Sequence, residues 1–448
     1  MQHYASRDHG LEERCDLGSE AWAGFSGGRP GFLVALTTIH WREAWKYGER
    51  AFRYCQHDAG HAIAALRFAA ALLGWRLTLL PSWSDAQLGA VLGLDREADF
   101  EGAEREEAEC VAAVTPSSAT SGRGAARQAD SVGRSALQTV AEGRRGEVSP
   151  WLDADPQTLV AAAGAARWSG TANVLSPARV DWPVIEEVAV ATRQVRAARS
   201  VAGAEPAPHR HGGRTNHVTD HKARAIILQR RSAVAFDARS SLPLESFRSM
   251  LARTGHGAPP WDAIDWPPHI HLLLFVHRVD GLTPGVYAYL RDPAVLTEWR
   301  AAMRREFLWE PVNDSNVSND PNASNGLYLL LPFDVTWVAN RVSCDQDIAA
   351  DGFFSLGMIA RLESSVRDRG DWFYRRLFWE SGILGQVLYL EAEAAGARAT
   401  GIGCFYDDPV HEAAGLSGAE WQSLYHFSMG VPVDDDRLTT TPGYEWER

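Results

Sequence analysis

A segment near the end of the chain recurs near its start, and this repeat constrains the fold more than any other feature of the sequence. Shifting the chain by 322 residues aligns residues 49–86 with residues 371–408 without a gap. The identical pairs include Arg53 and Arg375, Gly60 and Gly382, Leu66 and Leu388, Ala70 and Ala392, and Gly74 and Gly396. Two alanine-rich helices that are alike only in composition are the alternative, but composition does not keep glycines and an arginine in register. The repeat therefore predicts a duplicated structural unit.

Both copies have the pattern of a buried helix followed by a short strand. In the first copy, apolar residues repeat at intervals of three and four from about His57 to Leu73, which predicts a helix with one buried face. Gly74 is well placed to end that helix. In the second copy a glycine-rich turn, Gly401-Ile402-Gly403, is expected where the first copy reads LTLLPSW. The duplication is therefore asymmetric at the turn.

Composition excludes several classes of protein. The chain has 448 residues and a net charge of −13, which argues against nucleic acid or an anionic membrane as the main partner. Its five cysteines are scattered without a C-x-x-C pair, so neither a disulfide framework nor a zinc site is indicated. No apolar run approaches the roughly 20 residues of a membrane helix, and the start does not have the pattern of a signal peptide. We expect a cytoplasmic protein with reduced thiols.

Changes in composition divide the chain into three parts. Residues 1–110 form the first copy, and residues 220–448 form the second. Between them, residues 111–219 read as a linker with some helix around Val184–Val195, because most of this stretch has no apolar periodicity. Histidines 209, 211 and 217 in the linker are too loosely spaced for a metal-ligand pattern, so we predict no metal site.

The second copy alternates helices and strands. The sequence from Asp220 predicts helix, turn and helix, and apolar runs from His269, Gly285 and Leu327 predict strands. A long helix is expected over residues 345–368, and CFYDD and LYHFSMGVPV are expected to supply the last strands. This alternation predicts a mixed helix and sheet fold, which we assign to the α+β class.

Two motifs could carry chemistry. QRRSAVAF, at Gln229–Phe236, places two guanidinium groups and a hydroxyl at the end of a helix, a combination that suits a phosphate. A solvated helix end is the alternative. The second motif, TGIGCF at Thr400–Phe405, has glycines where the backbone can approach another group closely. The segment MGVPVDDDR adds a late basic residue, Arg437.

Together these phrases resemble the nitroreductase superfamily of flavin oxidoreductases. The resemblance is strongest to its tandem-repeat branch, which includes the SagB-type dehydrogenases. It is carried by RRSAVAFD, HLLLFVHRVDGLTPGVYAYLRDP, SCDQDIAADGFFSLGMIA, YRRLFWESGILGQVLYLEAEAAGARATGIGCFYDDPVHEAAGL, SLYHFSMGVPVDDDRLTTTP and, in the first copy, WREAWKYGERAFRYCQHDAGHA. These phrases extend over nearly the whole chain except the linker.

The resemblance implies two nitroreductase-like units that form an intramolecular pseudo-dimer with FMN between them. The cofactor-binding residues that it implies are Arg230, Arg231, Ser232, Gly401, Ile402, Gly403 and Arg437. The implied reaction is hydride transfer through flavin N5 to or from a small organic or peptide substrate, with NAD(P)H as a candidate reductant. The resemblance assigns no catalytic side chain, and a homo-oligomer stays open as a partner.

The sequence departs from the family pattern in three places. Val234 stands where many relatives have a second basic residue, and HGAPPWDAIDWPP stands where they have a Ser- and Asn-containing loop over the flavin. The first copy begins at a segment that follows such a loop in tandem relatives, so we expect it to be N-terminally truncated. Two hypotheses therefore remain open. The chain is an FMN-dependent enzyme, or it is a flavin-free pseudoenzyme that acts as a scaffold or partner in a biosynthetic complex.

Overall fold

The computed structural model describes residues 1–117, 151–152, 154–176, 178, 180–195, 223–255, 257–312, 326–439 and 441. By their internal contacts the residues form two units. Unit 1 consists of Met1–Arg210, Gly255–His269 and Arg361–Gln386, and unit 2 consists of His211–Thr254, Ile270–Ala360 and Val387–Arg448. Each unit is therefore built from segments that are distant in sequence.

The elements up to residue 195 belong to unit 1. They are β1 (Gln2–Ala5), β2 (Gly10–Glu13), α1 (Ser19–Ser26), β3 (Phe32–Thr38), α2 (His40–Tyr47), α3 (Ala51–Leu72), β4 (Trp75–Leu79), α4 (Asp85–Leu92), β5 (Glu107–Pro116), α5 (Gln157–Ala165) and α6 (Pro183–Ala191). β3, β5 and β4 form an antiparallel sheet with β5 in the centre. One core cluster of this unit packs Phe25, Trp83 and Trp151 together, so several of the tryptophans are structural.

The elements from residue 223 onward are more numerous. They are α7 (Ala223–Gln229), α8 (Leu244–Arg253), β6 (Ile270–Val276), β7 (Gly285–Tyr289), α9 (Leu296–Ala302), β8 (Glu310–Pro311), β9 (Leu327–Pro332), α10 (Thr336–Val342), α11 (Ile348–Asp351), β10 (Phe354–Arg361), α12 (Glu363–Arg369), α13 (Phe373–Ala394), β11 (Arg398–Ile402), α14 (Asp407–Ala414) and β12 (Trp421–Gly430). The division between the two units falls inside α13, after Gln386.

A seven-stranded sheet organises unit 2, with the strand order β11-β12-β10-β6-β7-β9-β8. All seven residues of the central strand β6 are buried, and β6 pairs antiparallel with both β10 and β7. A strand that is covered on both faces needs a continuous apolar run, which explains the sequence IHLLLFV. The mixed helix and sheet fold expected from the sequence is confirmed. No helix in the described part of the chain is long and apolar enough to cross a membrane.

The 322-residue offset of the sequence repeat reappears in the secondary structure. When shifted by that offset, α3 has the same bounds as α13, and α4 has the same bounds as α14. With the same shift, β3 aligns with β10. The three strands β3-β5-β4 also have the same order in their sheet as β10-β12-β11 have in theirs. Helices α4 and α14 also end alike, at Gly93 (φ 75°) and Gly415 (φ 76°), each in the left-handed conformation. The structural similarity thus begins at β3 and β10, before residues 49 and 371, where the aligned segments of the sequence begin.

Helices α3 and α13 approach each other closely at two aligned glycines of unit 1. A Cβ atom added to Gly60 would lie 2.2 Å from the carbonyl oxygen of Trp379. A Cβ atom added to Gly382 would lie 2.1 Å from the carbonyl oxygen of His57 and 2.9 Å from Cα of Gly60. Because these neighbours are backbone atoms, neither site accepts a side chain unless the helices separate.

Several expectations from the sequence are wrong. Residues 345–368 do not form a long helix, because the chain forms α11, then the buried strand β10, then α12. CFYDD is not a strand, since α14 starts at Asp407. Strand β5 covers residues 107–116, so residues 111–116, which the composition places in the linker, belong to the sheet of unit 1. The three linker histidines lie outside the described residues.

Candidate functional site

The arginine–serine motif lies directly after α7, in unit 2. The amide of Arg230 closes the last turn of α7 by donating to the carbonyl oxygen of Ile226. The Arg231 guanidinium donates to the carbonyl oxygens of Leu228 (3.0 Å) and Arg230 (2.8 Å). Those carbonyl groups are the acceptors that a helix end leaves unpaired, so Arg231 caps the helix. Arg230 and Ser232 are the members of the motif that can serve a ligand.

Tyr389, in the second half of α13, joins this motif to the glycine motif. Its hydroxyl lies 2.8 Å from Oγ of Ser232 and accepts a hydrogen bond of 3.0 Å from the amide of Gly401. The Arg230 guanidinium lies over its ring, 4.6 Å from the ring centroid, within the range of a cation–π contact. One side chain therefore contacts three residues from two motifs that are far apart in sequence.

Sequence reasoning missed Tyr389, although it lies in one of the family-like phrases. The tyrosine is 8% exposed, and its ring meets Phe427 edge to face at 4.8 Å. By sequence pattern alone it is one of several apolar residues on the buried side of a helix. The signal that could have identified it is its hydroxyl, because a buried tyrosine hydroxyl needs a hydrogen-bond partner.

Gly401 and Ile402 belong to strand β11 rather than to a turn, which corrects the expectation for the glycine motif. Gly401 pairs with Phe427 and Ile402 pairs with His426 of β12, and Ile402 lies in the core at 3% exposure. A Cβ atom added to Gly401 would lie 2.0 Å from the hydroxyl oxygen of Tyr425. Gly401 is thus needed for a close contact, but the group in contact with it is a protein side chain. Gly403 follows the strand.

The Ser232 segment runs beside β11. Ser232 forms a parallel bridge with Ala399, and the amide of Ala233 donates to the carbonyl oxygen of Ala399 (3.0 Å). Buried Glu393 accepts hydrogen bonds from the amide of Arg231 and from the side chain of Gln229, each 3.2 Å long. These backbone and carboxylate contacts fix the position of Ser232 relative to the residues of β11.

Arg437 is not joined to this cluster within the described part of the chain. Its guanidinium donates to both carboxylate oxygens of Asp435, at 2.8 and 2.7 Å, and its side chain is 89% exposed. The hydrogen bonds that Arg437 donates to Asp435 raise the pKa of Arg437 above its usual value. Residues 431–433 exchange antiparallel hydrogen bonds with residues 235–237, so Arg437 and Ser232 lie toward the same end of this pair.

The histidine nearest to Gly401 along the sheet is unsuited to acid–base work. His426 is 1% exposed and stacks on Phe405 with the ring centroids 4.5 Å apart. Burial lowers the pKa of His426 to about 3, so the imidazole is neutral at pH 7. It shares hydrogen bonds with the hydroxyls of Ser343 (3.2 Å) and Ser423 (3.1 Å). This group is a buried polar cluster of the sheet.

The residue set fits one part of the cofactor that the resemblance implies. The Arg230 guanidinium makes no hydrogen bond to the described residues, and Ser232 is exposed. A cation with available N–H groups beside a hydroxyl suits a phosphoryl oxygen. The amide of Gly401, by contrast, already donates to Tyr389, and the Tyr425 hydroxyl covers its α-carbon. The structure therefore fits the phosphate end of FMN at Arg230 and Ser232, and Gly401 does not offer its amide to the ring.

Comparisons with known proteins concern the fold. No family model matches the chain, and no curated protein matches it. Among solved structures, the chain is similar to a protein from Anabaena variabilis described as a nitroreductase, with a TM-score of 0.61 and 18% identity, over 96% of this chain and 77% of that one.

Two further similarities cover about half of this chain. One is to a protein from Ralstonia eutropha described as a nitroreductase (TM-score 0.31, 14% identity, 48% of this chain and 85% of that one). The other is to the E. coli microcin synthetase complex McbBCD with truncated pro-MccB17 bound (TM-score 0.33, 15% identity, 46% and 69%). Scores of this size do not establish a shared fold. Because the likeness to the Anabaena protein extends over nearly the whole chain, we conclude that this chain has the nitroreductase fold.

Proposed function

We propose that this chain is an FMN-dependent oxidoreductase whose cofactor binds with its phosphate at Arg230 and Ser232. The observation that carries the proposal is the meeting of Arg230, Ser232 and Gly401 on one side chain, Tyr389. The Ser232 segment pairs with β11 beside Gly401, and Tyr389 brings a cation and a hydroxyl together at that point. The nitroreductase fold supports the proposal, since flavin chemistry is what the sequence resemblance implies for it.

The chain's own residues bind and orient. Arg230 supplies N–H donors to a phosphate oxygen, and the Ser232 hydroxyl supplies a second donor beside it. Arg231 holds the end of α7, so that Arg230 and Ser232 keep a fixed separation. Bound FMN supplies an atom that accepts or delivers hydride, which no side chain can do. His426 is neutral and buried, so we assign it no proton transfer.

We propose a small organic molecule or a peptide as the substrate, and NAD(P)H as a candidate reductant. We further propose that the chain is a fused pair of nitroreductase-like units, in which the N-terminal part through β5 is the degenerate copy and residues 220–448 are the FMN-binding copy. The shared bounds of α3 with α13 and of α4 with α14 support the duplication. An intramolecular pseudo-dimer of the two copies would replace the second chain of a homodimer.

A flavin-free scaffold is the second candidate, and the occupied contacts of Gly401 and Arg437 favour it. The Gly401 amide is already bonded to Tyr389, and Tyr425 covers the α-carbon of Gly401. Arg437, which the resemblance places among the cofactor-binding residues, is paired with Asp435 instead. Under this hypothesis the two tyrosine hydroxyls occupy the Gly401 backbone permanently and leave it no contact for a flavin ring.

Reconstitution distinguishes the two candidates. The purified chain is mixed with FMN, desalted and examined for the visible absorption band of oxidised flavin. We expect retained flavin in the wild type and a loss of affinity of about 10- to 100-fold in Arg230→Ala, since a charged hydrogen bond is worth about 1.5–3 kcal/mol. Arg300→Ala, an exposed change on α9 with the same loss of charge, is the control and should retain flavin. A colourless wild-type chain that binds no FMN would support the scaffold.

A further inference from the structure

We infer that Tyr389 is a positioning residue, which sets the direction of the Ser232 hydroxyl proton and the plane of the Arg230 guanidinium for one phosphoryl group. The inference rests on the proposed function and adds to it a residue outside both sequence motifs. Tyr389 does not itself touch the phosphoryl group. It acts through Ser232 by a hydrogen bond of 2.8 Å and through Arg230 by a ring contact of 4.6 Å.

The hydrogen-bond directions follow from the donors and acceptors available. The Gly401 amide can only donate, so the Tyr389 oxygen is the acceptor in that 3.0 Å bond. The Tyr389 proton is then available for Oγ of Ser232, 2.8 Å away. When Tyr389 donates in this way, the proton of Ser232 is left for an outside acceptor. A phosphoryl oxygen beside Ser232 selects this arrangement, because it accepts that proton.

Tyr389 is held firmly enough to set these directions. It lies in the last turns of the 22-residue helix α13 and is 8% exposed. Phe427 meets its ring edge to face at 4.8 Å. On the other side, the strand pairing of Gly401 with Phe427 fixes the amide that donates to its oxygen. A fixed hydroxyl removes rotational freedom from the exposed Ser232 side chain before a ligand arrives, which favours binding.

The ring of Tyr389 restrains Arg230 as well. Within the described residues the guanidinium contacts that ring and makes no hydrogen bond. A guanidinium that lies over an aromatic ring keeps its N–H groups at its rim for acceptors lying to the side. Ser232, bonded to the hydroxyl of the same ring, lies two residues further along the chain. One ring therefore presents a cation and a hydroxyl donor together.

A double-mutant cycle tests the inference by measuring the Kd of FMN and of riboflavin, which has no phosphate. The variants are Tyr389→Phe, Ser232→Ala and the double variant. We expect Tyr389→Phe, which keeps the ring, to weaken FMN binding about 3- to 10-fold, the equivalent of one hydrogen bond. Because Tyr389 acts through Ser232, the double variant should bind FMN no more weakly than Ser232→Ala alone. Riboflavin binding should be unchanged.

The control is Tyr287→Phe, which removes another partly satisfied hydroxyl of unit 2, bonded to the carbonyl oxygen of Thr283 at 2.7 Å. It should leave both Kd values at the wild-type level, even where it lowers thermal stability. Additive losses in the cycle, or equal losses for FMN and riboflavin, would overturn the inference.

If the wild-type chain binds no FMN, the proposed function fails, and the same cycle with inorganic phosphate decides the inference. Coupled losses of phosphate affinity then uphold it, and additive losses or no phosphate binding refute it.

Discussion

Replacing Gly382 by alanine should destabilise the fold, although alanine is the better helix former. The added Cβ would lie 2.1 Å from the carbonyl oxygen of His57, whereas ordinary contacts begin at 3.4 Å. The difference between these two distances is more than 1 Å, so the backbones of α3 and α13 must move apart by more than 1 Å to remove the clash. Overpacking of a tight contact costs about 1–3 kcal/mol or more, and the gain in helix propensity offsets at most about 1 kcal/mol. After the gain in helix propensity is subtracted from the cost of overpacking, we expect the free energy of unfolding to fall by about 1–2 kcal/mol.

Gly89→Ala is the matched control, because Gly89 lies inside the helix α4 and its added Cβ would meet Leu94 at 3.9 Å, an ordinary contact. That change should stabilise the chain by up to about 1 kcal/mol, the propensity difference. Urea unfolding followed by tryptophan fluorescence gives the midpoints, compared at equal slope. Gly60→Ala should resemble Gly382→Ala, and the double variant should cost less than the sum, because the first alanine already separates the helices. A Gly382→Ala chain as stable as Gly89→Ala would refute the close approach of α3 and α13.

Three further predictions follow from unit 2. Arg437→Ala should lower FMN affinity much less than Arg230→Ala does, because Arg437 is paired with Asp435. Equal losses of FMN affinity for the two variants in titrations would place Arg437 at the phosphate site. Gly401→Ala should lower the thermal stability of the chain, since its Cβ would overlap the Tyr425 hydroxyl; an unchanged melting temperature would contradict this contact. Stability should fall as the pH drops from about 6.5 toward 3, because the unfolded chain protonates His426 while the folded chain, with its pKa of about 3, does not. His426→Gln removes the one proton that His426 takes up on unfolding, so it should reduce the pH slope of the unfolding free energy by about 1.4 kcal/mol per pH unit. An unchanged slope would show that His426 is not the group responsible for the pH dependence.

The sequence predicts the elements whose pattern is local and strong. β6 and β7 are continuous apolar runs, and α13 carries the repeat, so both strands and the helix were expected where they occur. The offset of 322 residues also predicts the paired helices, because glycines at crossings and helix ends are fixed by backbone geometry. Helix ends at Gly93 and Gly415 are examples, with φ values of 75° and 76°.

Elements decided by tertiary packing could not be predicted in this way. β10 is buried on both faces, so its apolar residues do not alternate with polar ones, and spacings of three made it look helical. Gly401 looked like a turn residue, but its place in β11 is fixed by pairing with β12 and by the Tyr425 hydroxyl. Tyr389 could not be assigned to the site from the sequence, because its role depends on contacts with Arg230, Ser232 and Gly401, which only the fold brings together.

The most direct test of the central claim is the binding stoichiometry of FMN with the wild-type chain. Isothermal titration, checked by the flavin absorbance of the desalted complex, should show one FMN per chain. In Arg230→Ala the affinity should fall by about 10-fold or more, the effect of losing a charged hydrogen bond. No heat and no retained absorbance in the wild type would contradict the claim that this chain is a flavoenzyme. Full retention by Arg230→Ala would contradict the position of the phosphate.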